Sequence, residues 1–124
     1  DGVKANKTKT RQNTEKETEE MIFIVVEQMP VFPGGQEKMI DYLSDNLEYP
    51  VLAKESGIQG TVYVSFVVRK DGRISDIKIL KGIGGGCDEE AVRVVSKMPR
   101  WKPATQRGKK VNVMFNLPIV FKLD

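Results

Sequence analysis

The 124-residue sequence has no histidine and a single cysteine, Cys87. Without histidine, the most common general base near neutral pH and the most common metal ligand are both missing, which weighs against a hydrolytic or zinc-dependent enzyme. One cysteine excludes an intrachain disulfide and says little about compartment. Long apolar runs are missing too: residues 21–26 form the longest candidate, far short of the roughly 20 residues a spanning helix needs. Charge of one sign does not dominate, since 20 Lys and Arg face 17 Asp and Glu for a net +3. No basic cluster lies beside aromatics, so the chain carries no nucleic-acid footprint. There is no nucleophile–base pair and no metal-ligand cluster. The reading is of a protein that is not an enzyme, with no cofactor and no metal. What is present, 40% apolar residues, suffices for one core.

The chain starts at Asp1, with neither an initiator methionine nor a signal peptide, which reads as a processed product or a cut piece. Residues 1–20 are polar, with Val3 and Ala5 the only apolar side chains, and are expected to form a flexible leader or tether. The domain is expected over residues 21–124, with its core in 36–123. Met21-Ile22-Phe23-Ile24-Val25-Val26 has strong β propensity and would invite aggregation if left bare. It is expected to be covered as an extra strand, either a plain packing strand or a removable one that protects a sheet edge until a partner arrives.

Residues 60–80 organise the rest. Val62, Val64, Phe66 and Val68 alternate with Tyr63, Ser65 and Val67, the period of a strand with one buried face. Lys70-Asp71-Gly72-Arg73 supplies a tight turn into a second strand, in which Ile77 and Ile79 alternate with Asp76 and Lys78. Residues 36–47 read as a helix with Met39, Ile40, Leu43 and Leu47 on one face; 51–56 read as a short helical turn capped by Gly57. Residues 88–98 read as a second main helix covering the sheet through Cys87, Ala91, Val94, Val95 and Met98. Its glycine-rich approach, Gly82 to Gly86, resembles a phosphate cradle only superficially, because Asp88, Glu89 and Glu90 fill the first turn and would repel an anion. Trp101 reads as a plug at the core edge, and residues 105–110 as a polar turn. The longest period-2 pattern runs from Val111 to Leu123, and Pro118 within it marks an edge strand.

This order predicts an α+β fold, a two-layer sandwich. Its antiparallel-type sheet has three strands in order 2-1-3, the third reached by a right-handed crossover, with two helices on one face and room for an extra N-terminal strand.

Tyr49-Pro50, Ala53, Gly57-Ile58-Gln59-Gly60-Thr61-Val62, Asp71-Gly72-Arg73-Ile74, Ile79-Leu80, Glu90-Ala91, Trp101-Lys102-Pro103 and the strand from Val111 to Phe121, in this order and spacing, resemble the TonB C-terminal domain family. Met29 to Gly35 and Gly84 to Glu90 look like the version found in Bacteroidetes-type bacteria. The resemblance implies a periplasmic domain, anchored to the inner membrane by a helix upstream of this chain and working with ExbB and ExbD. It would bind outer-membrane transporters for siderophores, vitamin B12 or glycans by strand addition to their TonB box. The receiving strand implied is Lys110, Val111, Asn112, Val113, Met114, Phe115, Asn116 and Leu117, with Asn46, Leu47, Glu48 and Tyr49 as a second contact. This second segment lacks the glutamines of the best-known members, and the leader lacks their proline-rich linker. Similar domains also occur as interaction or dimerisation modules appended to membrane sensors, which is the alternative reading. Strand exchange along the exposed edge is an open route to a homodimer.

Overall fold

The computed structural model describes residues 21–123, so the leader expected over residues 1–20 lies outside the described part. Among the described residues eight elements follow one another: β1 (Ile22–Phe23), α1 (Gln36–Asn46), α2 (Val51–Ser56), β2 (Gly60–Val68), β3 (Ile74–Lys81), α3 (Cys87–Ser96), β4 (Ala104–Gln106) and β5 (Lys109–Phe121).

β2 is the spine. Val62, Val64, Phe66 and Val68 are all fully buried, as their alternation predicts, in one apolar cluster with Met39 of α1 and Ala91, Val94 and Val95 of α3. Val67, on the opposite face, is buried as well, flanked by Ile22, Ile77 and Met114. On one side β2 forms the hairpin with β3. The loop closes where Arg69 N–H donates to Arg73 O at 2.8 Å. Gly72 sits there at φ +89°, and a Cβ would stand 2.2 Å from the Trp101 carbonyl oxygen, so only glycine fits. On its other side β2 runs antiparallel to β5 over nine pairs, from Gly60↔Phe121 to Val68↔Val113.

The sheet order is β1-β5-β2-β3, so the three long strands stand in the expected 2-1-3 order. The count of strands is corrected. β1 pairs parallel with β5 through Ile22↔Asn112 and Phe23↔Val113, and β4 pairs antiparallel with the start of β5. The stretch read as a polar turn is thus a hairpin, whose two turn residues Arg107 and Gly108 both have positive φ, 52° and 76°. β4 is three residues long with Ala104 its one apolar side chain, so it carries no apolar period to reveal it.

Both main helices cover one face. α3 buries Cys87, Ala91, Val94 and Val95. α1 buries Met39 and donates the Tyr42 hydroxyl to Val94 O at 2.7 Å. Ile40 departs from the expected stripe: one residue on from Met39, it has turned about 100° round the helix and is 57% exposed. Trp101 is the expected plug, edge-on to Phe66, Phe32 and Phe115 at centroid separations of 5.6, 5.8 and 5.1 Å.

Candidate functional site

The feature that sets this chain apart from a plain sandwich is the far edge of β5. Val113, Leu117, Ile119 and Phe121 point into the core and are buried, while Met114, Asn116, Pro118 and Val120 point outward and are exposed. Pro118 stands opposite Tyr63 inside an unbroken ladder. A proline has no N–H to give, so its nitrogen faces away from β2. Because successive residues turn their backbone groups to opposite sides, Met114 and Asn116 also direct theirs away from β2. Among the described residues no strand pairs with this outer side beyond Val113.

The start of β5 is covered. β1 lies along Asn112 and Val113, and Asn112 ties it down from a buried position. The Asn112 side-chain amide donates to Met21 O at 3.2 Å, while its oxygen accepts from Lys70 N–H at 2.8 Å. The period-2 pattern puts Asn112 in the outward set with Met114 and Asn116, and nothing in it reveals the burial of Asn112 or its two partners, 91 and 42 residues away in sequence. β4 pairs with Lys109 to Val111 on the side of β5 that β2 takes further along, because Thr105 turns its own backbone groups to Gln28.

The other end of β5 borders a groove of about 360 Å³, lined by Ile40, Leu43 and Leu47 on one wall and by Pro118, Ile119 and Val120 on the other. Asn46, Leu47, Glu48 and Tyr49 lie at this end, not beside residues 110–113. Tyr49 stacks edge-on to Phe121 at 5.6 Å, and its hydroxyl donates to Ile58 O. Glu48 N–H donates to the Glu90 carboxylate at 2.6 Å, and Arg93 donates to Asn46 O at 2.8 Å. Arg93 and Glu90 are themselves bridged at 2.7 Å. That hydrogen bond is the main influence holding the Glu90 carboxyl below the usual carboxylate range, against the opposing effect of burial. The two segments implied by resemblance therefore bracket one edge rather than touch: Leu117 leads into the groove that Leu47 lines. Ile40, Leu43 and residues 118–120 were missed as lining residues; the Pro118 edge signal pointed toward them.

The glycine-rich loop before α3 is self-satisfied. The Asp88 carboxylate accepts from Ile83 N–H at 2.9 Å and from Gly84 N–H at 3.4 Å, taking the donors an anion would need. Cys87 is buried, and burial first, then Asp88 and Glu89, pushes its thiol above the ordinary range.

Residues 45–123 match the family described as Gram-negative bacterial TonB protein C-terminal. Protein TonB of Pseudomonas aeruginosa is 33% identical over 76 residues, 61% of this chain, and the match spans 22% of that relative's length. Two solved structures are similar. The Helicobacter pylori TonB C-terminal domain, residues 179–285, has TM-score 0.54 and 26% identity, over 71% of this chain and 79% of that one. The Pseudomonas aeruginosa TonB C-terminal domain has TM-score 0.50 and 33% identity, over 62% and 78% respectively.

Proposed function

The chain belongs to the TonB C-terminal family, and from that premise we propose that it is the periplasmic domain of an energy transducer that grips outer-membrane transporters by strand addition. The observation that carries this reading is the outer edge of β5: apolar and open beyond Val113, with backbone groups of Met114 and Asn116 aimed outward. A transporter's extended N-terminal segment, its TonB box, would join this edge. Main-chain hydrogen bonds would supply affinity, and side chains on alternate faces would supply selectivity. Such a ladder is loaded in shear when pulled along the strand, which suits transmission of force to a transporter plug. The receiving residues are Lys110 to Leu117, and Asn46 to Tyr49, pinned by Glu90 and Arg93, flank the far end. ExbB and ExbD would supply proton-motive energy through an inner-membrane anchor upstream, for import of siderophores, vitamin B12 or glycans.

The test is an NMR titration of the labelled chain with peptides from the periplasmic N-termini of outer-membrane transporters. Shifts concentrated on residues 110–117 and around Asn46 are expected. Saturating peptide without such shifts, both in the native chain and in an Ile22→Asp chain with β1 disfavoured, overturns the proposal.

A further inference from the structure

The segment that already lies on the β5 edge has the form of a ligand. β1 runs parallel to β5 against Asn112 and Val113, in the middle of the stretch assigned to the partner. Its two side chains divide between the faces. Ile22 reaches a groove of about 390 Å³ on the uncovered face, beside Val67, Ile77, Leu80 and Met114, whereas Phe23 packs at the edge of the core. Yet β1 is held at few points, its two ladder pairs, the Phe23 side chain and the Asn112 amide on Met21 O. It covers two residues of a thirteen-residue strand, and the two residues after it, Ile24 and Val25, are 73% and 81% exposed.

The chain is anchored again immediately downstream. Arg107 N–H donates to the Glu27 carboxylate, Glu27 N–H to the Gln106 side chain at 2.9 Å, and Gln28 and Val31 bridge to Thr105 and Lys102. Residues 24–26 thus form a short link between a firm anchor and a shallow strand. A tether this short keeps β1 at high effective concentration beside its edge, and yet lets it leave without disturbing the core.

We propose that β1 is an exchangeable internal strand that stands in the place of the partner strand, and that its two side chains state the partner's requirement. That partner is an extended segment running parallel to β5, with an aliphatic side chain over Val67 and Met114 followed by a large apolar one at the core edge. The inference rests on the reading that β5 receives a strand. It adds that the edge is self-occupied, so that any partner's apparent affinity is reduced by the fraction of molecules with β1 in place.

The experiment uses the full chain and a synthetic peptide covering residues 20–27 of this same sequence. In the Ile22→Asp, Phe23→Asp double variant the internal strand is disabled, and the peptide is expected to bind at least about tenfold tighter than to the native chain. Its shifts should centre on residues 65–67 and 112–116. A folded double variant that binds the peptide no better than the native chain, or that only self-associates, overturns the proposal. If the variant does not fold, amide exchange of the native chain decides. The amides of β1 should exchange at least about 100-fold faster than those of β2, and equal protection overturns the proposal. The two failures are distinguishable. A self-peptide that binds while no transporter peptide binds either chain removes the transporter reading alone; the reverse removes the exchangeable strand alone.

Discussion

The two edges of the long-stranded sheet are built on opposite plans. β3, at one edge, exposes Lys78 and Lys81, and its register with β2 breaks twice, with Asp76 at φ 51° inside the second break. Charge and bulging are the usual means by which a sheet refuses another strand. Beyond Val113, β5 has neither. It shows Met114, Pro118 and Val120 to solvent, and only Pro118 interrupts its outward donors. The inner halves of both strands serve the same core, so packing cannot explain the difference. The difference is that β3 carries features that refuse another strand and β5 beyond Val113 carries none, which is what the proposed capture of a partner strand requires.

The largest effect would come from the frame that both edges share. Phe66 is fully buried between Trp101 and Phe115, and Phe66→Ala is expected to cost about 4 kcal/mol in denaturant unfolding. Both edges should be lost together; loss of only one would show that they do not depend on a common core.

Next in size is the effect of a proline at each edge. Met114→Pro removes an outward donor, so transporter-peptide affinity is expected to fall at least about tenfold while the melting temperature changes little, because the pairing with β2 is spared. Ile79→Pro at the other edge removes an outward donor of β3 in the same way, since its partner Val64 turns its own groups toward Leu117, and should leave the affinity unchanged. Equal losses from both substitutions would erase the comparison.

A smaller effect is expected from removing the guard on β3. Replacing Lys78 and Lys81 by leucine should leave the fold intact and produce a concentration-dependent dimer in sedimentation. A strictly monomeric variant would mean that the charges are incidental.

The smallest concerns acid stability at the far end of β5. The Glu90 carboxyl is held below its ordinary value in the folded chain, chiefly by Arg93. Its contribution is therefore present above the unfolded carboxylate value of about 4.3 and is lost as pH falls through the lower folded value. Glu90→Gln should flatten that part of the pH–stability curve and loosen Asn46 and Glu48, seen as faster amide exchange there. A curve identical to that of the native chain would remove the pin.

Much of this plan was legible in the chain. The β2–β3 hairpin announces itself through the alternation of Val62, Val64, Phe66 and Val68 and through Asp71-Gly72, because strand period and turn chemistry are local properties. Pro118 marks an edge for the same reason. The groove was not legible: Ile40 sits one residue from Met39, and only the final angle of α1 decides which of the two faces the core. The β4 hairpin was hidden because a three-residue strand with one apolar side chain has no apolar period. The seating of β1 depends on Asn112 reaching Met21, a tertiary fact that no local pattern encodes. Residues 110–117 and 46–49 came from family resemblance, and the structure adds that they border the two ends of one edge.

The most direct test of strand addition is amide hydrogen exchange of the chain with and without a saturating transporter peptide. Phe115 and Leu117, which face β2, should be protected in both states. Met114 and Asn116 should gain protection only with peptide, and the β3 amides should not change. Protection appearing along β3, or none gained at Met114 and Asn116 at saturation, would contradict capture at the β5 edge.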